Sequence, residues 1–144
     1  MRVQHILTDK GDHVTKVSSD ESIRTTLLRL KTHNIGALVV TDDAHGVVGI
    51  ISERDLVRAM VDHGSDLPDM VVADLMTRDV RTCQPSDDIE DVMDEMTSGR
   101  FRHMPVVEAG VLVGIVSIGD LVKHRLRELE TEATALREYV TDYR

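Results

Sequence analysis

A chain of 144 residues with 41% hydrophobic and 30% charged residues is long enough to bury a core without disulfides or a structural metal, and is expected to fold throughout as one module. Its net charge of −9 argues against a nucleic-acid partner, because such binding rests on Lys and Arg replacing counterions on phosphates, and the absence of Trp with Phe101 as the single Phe removes the stacking platforms that single strands use. The lone Cys83 excludes an intrachain disulfide or a thiolate metal cluster, and neither a signal-like N-terminus nor an apolar run of membrane-spanning length is present, so a cytoplasmic setting is expected.

The elements come twice, in the same order. Residues 3–8 resemble 72–77, and residues 14–23 resemble 80–89. After Ser19, read as a cap, Ile23, Leu27 and Leu30 recur at helical spacing. The β-branched runs 37–41 and 47–51, joined by the Asp42–Gly46 turn, read as a hairpin, and residues 55–63 return to helical character. Gly64-Ser-Asp-Leu-Pro68 then reads as a link between copies.

In the second copy Ile89, Val92, Met93 and Met96 follow a cap at Ser86, and a hairpin of 104–107 with 111–116 turns through Glu108-Ala-Gly110. Ile23 lines up with Ile89 and Gly49 with Gly114, so the offset slips by one residue across the Asp42–Gly46 turn. Each unit is strand, helix, strand, strand, helix, with repeat 1 at residues 3–63, a linker at 64–71 and repeat 2 at 72–123. From Leu121 onward Leu126, Leu129, Ala133, Leu136 and Val140 continue one amphipathic helix, read first as packing on its own core with a solvated outer face; its 124–144 extension outruns the repeat, and a subunit contact is a natural use for the excess.

Two segments carry chemistry: Gly49-Ile-Ile-Ser-Glu-Arg-Asp55 and Gly114-Ile-Val-Ser-Ile-Gly-Asp120. In each a strand ends at a serine and a helix starts with free N–H groups and its positive dipole end outward, a place for a phosphate, while an aspartate in the first turn can accept from ribose hydroxyls. The alternative is a plain capping box, in which Ser and Asp satisfy backbone donors. Cys83, aligned with Val17, reads as a small buried hydrophobe, and Met76, Met93, Met96 and Met104 as core. The seven histidines, at 5, 13, 33, 45, 63, 103 and 124, show no metal-ligand spacing.

With Arg102-His-Met-Pro-Val106, these doubled segments make the chain resemble tandem CBS-domain proteins over Val3 to about Lys123. The resemblance implies an α/β (α+β) fold of two repeats, each a small sheet with two helices, packed about a pseudo-twofold axis, plus the long C-terminal helix. It implies two clefts between repeats. One would use Ser117 and Asp120 for phosphate and ribose, Arg102 and His103 near the phosphates, and Gly36, Ala37 and Leu38 with Ile115 around adenine. The other would use Ser52, Arg54 and Asp55, Thr82 of the opposite repeat, and the backbone of Met104 and Pro105 beside the base. Lys16 stands where the second copy has Thr82, and Val39 where the family often has proline, so the two sites are not expected to be equivalent.

The function expected is a regulatory or sensor module that binds an adenine nucleotide of the AMP, ADP, ATP or NAD class and passes occupancy to a partner protein, working as a homodimer. The alternative is a structural or interaction module with unoccupied clefts. An enzyme is disfavoured because neither cleft offers an activated nucleophile with its base, and each offers one clear aspartate; no catalytic cofactor is expected.

Overall fold

The structure, a computed structural model, describes residues 1–44 and 46–142. His45 in the expected turn, and Tyr143 and Arg144 at the end of the expected C-terminal helix, lie outside the described residues. In chain order the elements are α1 (Val3–Lys10), β1 (Lys16–Val17), α2 (Ile23–His33), β2 (Ala37–Thr41), β3 (Val47–Ser52), α3 (Glu53–His63), a 3-10 turn (Gly64–Asp69), α4 (Val72–Leu75), α5 (Ile89–Gly99), β4 (His103–Glu108), β5 (Val111–Ser117) and α6 (Ile118–Asp142). This is a mixed α/β fold with two small sheets.

In the first sheet β1 runs parallel to β2, pairing Val17 with Val40, and β2 runs antiparallel to β3, from Ala37 opposite Ser52 to Val40 opposite Gly49. Ala37 to Val40 are all buried, which explains why this central strand reads as a continuous apolar run rather than alternating. The second sheet pairs β4 with β5, His103 opposite Ser117 and Val106 opposite Gly114. Its counterpart of β1 shrinks to one parallel bridge from Cys83 to Val106, with Cys83 buried where Val17 lies in the first copy. Ala109 and Gly110 turn the β4–β5 hairpin with φ of 50° and 78°, the left-handed pair that a two-residue loop needs.

The short opening helices are exchanged between copies. Val3 and Ile6 of α1 are buried in the core of the second repeat, with Ile89, Met96, Val106 and Leu121. Val72 of α4, with Met76, joins the first core around Ile23, Leu38 and Ile51. The free N–H groups at each start find the other copy: Val3 and Gln4 donate to the carbonyls of Asp87 and Pro85, both at 2.9 Å, and Val72 and Ala73 to those of Glu21 and Ser19, at 2.9 and 2.8 Å. Gly49 and Gly114 permit this docking, since a Cβ there would lie 2.6 Å from Met76 Sδ and 2.5 Å from Leu7 Cδ2 respectively.

These bonds also correct the expected caps. Residues just before α2 and α5 form turns whose carbonyls serve as acceptors for α4 and α1, so α2 is capped by Ser22, not Ser19, with the Ser22 hydroxyl accepting from Thr25 N–H at 3.2 Å. Likewise α5 starts after Asp88 rather than Ser86. The segment after Gly64 is a packed turn that buries Leu67 in the first core. Along α6 Leu121 and His124 are buried, whereas Leu126, Leu129, Leu136, Tyr139 and Val140 are exposed. No helix among the described residues is long and apolar enough to cross a membrane.

Candidate functional site

Each Ser-x-x-Asp segment sits where a sheet hands over to a helix, β3 to α3 and β5 to α6. At the first, Asp55 N–H donates to Ser52 Oγ at 3.3 Å, while the Ser52 N–H and hydroxyl donate to Asp55 Oδ2 at 2.9 and 3.0 Å. At the second, Asp120 N–H donates to Ser117 Oγ at 3.1 Å and Ser117 N–H to Asp120 Oδ2 at 2.9 Å. Both are capping boxes. Among the described residues neither Asp55 Oδ1 nor Asp120 Oδ1 accepts a bond, so capping occupies one oxygen of each carboxylate and leaves the other for a ligand.

A cleft of about 570 Å³ opens at the first turn, lined by Ser52, Arg54 and Asp55 with Arg81, Arg102 and His103 of the second repeat. A second cleft of about 360 Å³ brings together Ser117, Asp120, Ile115, Gly36, Ala37 and His103. Arg102, expected beside Ser117 and Asp120, lines the first cleft instead, because it precedes β4 while His103 begins it. Thr82 is exposed and lines neither; Arg81, its neighbour, takes that place. Leu38 and Met104 are fully buried, and the Pro105 carbonyl accepts from Cys83 N–H at 3.1 Å, so these positions support the clefts from within the sheets. Lys16 lines a neighbouring depression with His13 and His33, which also border the second cleft.

The expectation of one clear aspartate per cleft needs correcting at the first, where Asp79 joins Asp55 and Glu53 adds a third carboxylate. Arg58 and Arg100 also line it. Arg58 was legible as the residue one helical turn after Arg54; Arg100 required knowing that the end of α5 faces α3. Lys10 had no sequence signal. It closes α1 and reaches the second cleft, donating to Asp120 Oδ2 at 2.7 Å and to the Ile115 carbonyl at 3.1 Å.

Burial pushes the Asp120 carboxyl up, but the Lys10 hydrogen bond, the Ser117 N–H and the Lys10 charge outweigh it, and the group sits below the ordinary carboxylate value. His103, on the wall shared by both clefts, is held below the ordinary imidazole value, first by burial and then by the charge of Lys10, with Asp120 and Glu53 pulling the other way. Gly36 leaves room for that ring: a Cβ there would lie 3.3 Å from His103 Cε1.

Two αβ repeats with exchanged opening helices, and a Ser/Asp turn from each facing a cleft between them, define a paired-repeat module. The CBS domain model matches residues 3–62 and 72–127; the chain belongs to the CBS-domain family. It is similar to a CBS-domain containing protein of known structure from Agrobacterium tumefaciens, with 45% identity and a TM-score of 0.84 over 87% of this chain and 99% of that one. It is 39% identical over 123 residues to an uncharacterized 17.7 kDa protein of Acidianus ambivalens, covering 85% of this chain and 71% of that protein. It spans 62% and 35% of the length of two further curated relatives. The CBS domain pair of protein MJ0100, solved in complex with 5′-methylthioadenosine and S-adenosyl-L-methionine, matches with 26% identity and a TM-score of 0.78 over 89% of this chain and 98% of that one.

Proposed function

We propose that this CBS pair is a regulatory module that binds an adenine nucleotide, of the AMP, ADP, ATP or NAD class, and signals occupancy to a partner protein. The observation that carries the reading is the half-used carboxylate at each strand-to-helix turn, with Oδ2 engaged in the cap and Oδ1 left beside a cleft. Arginines line the first cleft, and their forked N–H donors suit phosphates. The adenosine moiety common to both ligands of the MJ0100 pair supports it. Few side chains reach toward a base edge, so selection of adenine over guanine would fall to backbone groups.

At the first cleft an enzymatic reading lacks an activated serine, since the Ser52 hydroxyl donates to its own capping aspartate. At the second cleft the Lys10 to Asp120 bond favours the alternative, a structural use in which the protein fills its own cleft. A homodimer, formed through exposed apolar helix faces, belongs to the same proposal.

Calorimetric titration with AMP and ATP tests it. Losing a charged acceptor for ribose hydroxyls in Asp55→Asn is expected to weaken binding by roughly 1.5–3 kcal/mol, one to two decades in Kd. Unchanged affinity in Asp55→Asn, Asp120→Asn and the double variant would assign both aspartates to capping alone.

A further inference from the structure

The first cleft continues into a neighbouring depression of about 590 Å³, and Arg54, Arg58, Arg100 and Arg102 line both. Glu53, Asp55 and Asp79 line only the inner part; the lining of the outer depression holds those four arginines and no carboxylate. Position, more than pairing, marks these four: Arg2, Arg78, Arg81 and Arg137 also make no ion pair among the described residues, but only Arg54, Arg58, Arg100 and Arg102 line both depressions. Arg24, Arg29, Arg125 and Arg127 each sit 2.5–3.7 Å from a carboxylate, whereas none of the four cleft arginines makes an ion pair among the described residues. Arg54 donates only to the Arg100 carbonyl, at 3.3 Å.

In a chain with 26 acidic and 17 basic residues, four guanidiniums converging without a carboxylate ion pair raise one another's electrostatic cost, and a multiply charged anion relieves it. The geometry suits an elongated one. Arg54 and Arg58 lie one turn apart on α3, and Arg100, at the left-handed end of α5 with φ 56°, stands two residues from Arg102. A single phosphate engages two such groups; a chain of phosphates can engage all four, each through forked N–H donors.

We infer that this cleft takes a nucleoside polyphosphate, its phosphate chain lying along Arg54, Arg58, Arg100 and Arg102, and selects di- and triphosphates over monophosphates and over uncharged or cationic adenosine derivatives. The inference rests on the proposed nucleotide reading for the nucleoside end at Ser52 and Asp55. The second cleft, where Lys10 is already neutralised by Asp120, does not share the preference.

The test titrates the full chain with ATP, ADP, AMP and S-adenosylmethionine at fixed salt. It compares the parent with Arg58→Gln, with Arg58→Gln/Arg100→Asn, and with Arg24→Gln as a charge-matched control away from the cleft. Asn suits the left-handed position of Arg100, and Arg58→Gln alone changes an exposed helical site, so folding does not limit the comparison. ATP is expected to bind at least about tenfold more tightly than AMP, and the double variant to lose that margin, as charge-assisted bonds of this strength require. Equal affinity for ATP and AMP, or equal loss of both in the variants, overturns the inference. If none of the four ligands binds, the nucleotide reading fails, and inorganic tripolyphosphate decides the anion site separately. Binding to the parent that is lost in the double variant sustains a polyphosphate site, and no binding overturns it.

Discussion

Removing the Lys10 to Asp120 contact tests how the exchanged helix α1 is tied to the second cleft. Lys10→Met keeps the alkyl stem and its packing, and Asp120→Asn keeps an acceptor for the cap. The 2.7 Å pair has side chains 35% and 25% exposed, so solvent screening discounts it well below a buried pair; a coupling energy of about 1 kcal/mol is expected, between the exposed and buried limits. With an m value of about 2 kcal/mol/M for urea, that corresponds to roughly 0.5 M in midpoint across the double-mutant cycle. Urea unfolding of the four proteins, followed by circular dichroism, measures it. The Asp120 carboxyl is held below its ordinary value of 3.8, so the coupling is present in full above that pH and is lost as pH falls through the folded-state value. It should therefore be the same at pH 7 and pH 5 and fade only below about 3.8. A coupling indistinguishable from zero, or one that decays between pH 7 and 5, would refute the assignment to this pair.

Gly49→Ala should destabilise more than Gly114→Ala, by about 1–3 kcal/mol against less than 1, because the new Cβ at 49 meets the Thr77 carbonyl at 3.0 Å as well as Met76, while at 114 it meets only the Leu7 side chain; melting temperatures in the reverse order would contradict the docking described. The Cys83 thiol, pushed up to about 12 by burial and then by Asp87 and Glu95, should resist a thiol reagent at pH 8 until the chain unfolds, and rapid labelling of the native protein would show the site is open. Light scattering should report twice the 16.1 kDa chain mass, with truncation after Thr131 weakening the dimer by removing Leu136, Tyr139 and Val140; a monomer at micromolar concentration would rule the dimer out.

Much of the fold was legible because the repeat made each weak signal count twice. The hairpins, α2, α3 and α5, and the burial of Cys83 at the position equivalent to Val17 follow from periodicity that is local in sequence. The helix starts did not. Ser19 and Ser86 have the chemistry of caps, but Glu21, Ser19, Pro85 and Asp87 spend their carbonyls on α4 and α1, a tertiary demand that overrides capping preference. That Val3 and Ile6 belong to the second core was equally hidden, since nothing in a short amphipathic segment states which sheet it covers.

The clefts divide along the same line. Ser52, Asp55, Ser117 and Asp120 were readable because strand, serine and helix start are consecutive, so their geometry is fixed by a few bonds. The residues that give each cleft its charge come from elsewhere in the chain. Arg81 and Arg100 reach the first cleft from loops around α5, and Lys10 reaches the second from a helix exchanged between repeats. The consequence is an asymmetry that the near-identical motifs conceal. One cleft presents arginines with no acidic partner, and the other presents a lysine already bound to its aspartate. A polyanion entering the second meets a lysine whose charge Asp120 already balances, whereas one entering the first relieves repulsion, so on the proposed nucleotide reading ligand charge is expected to distinguish the two clefts.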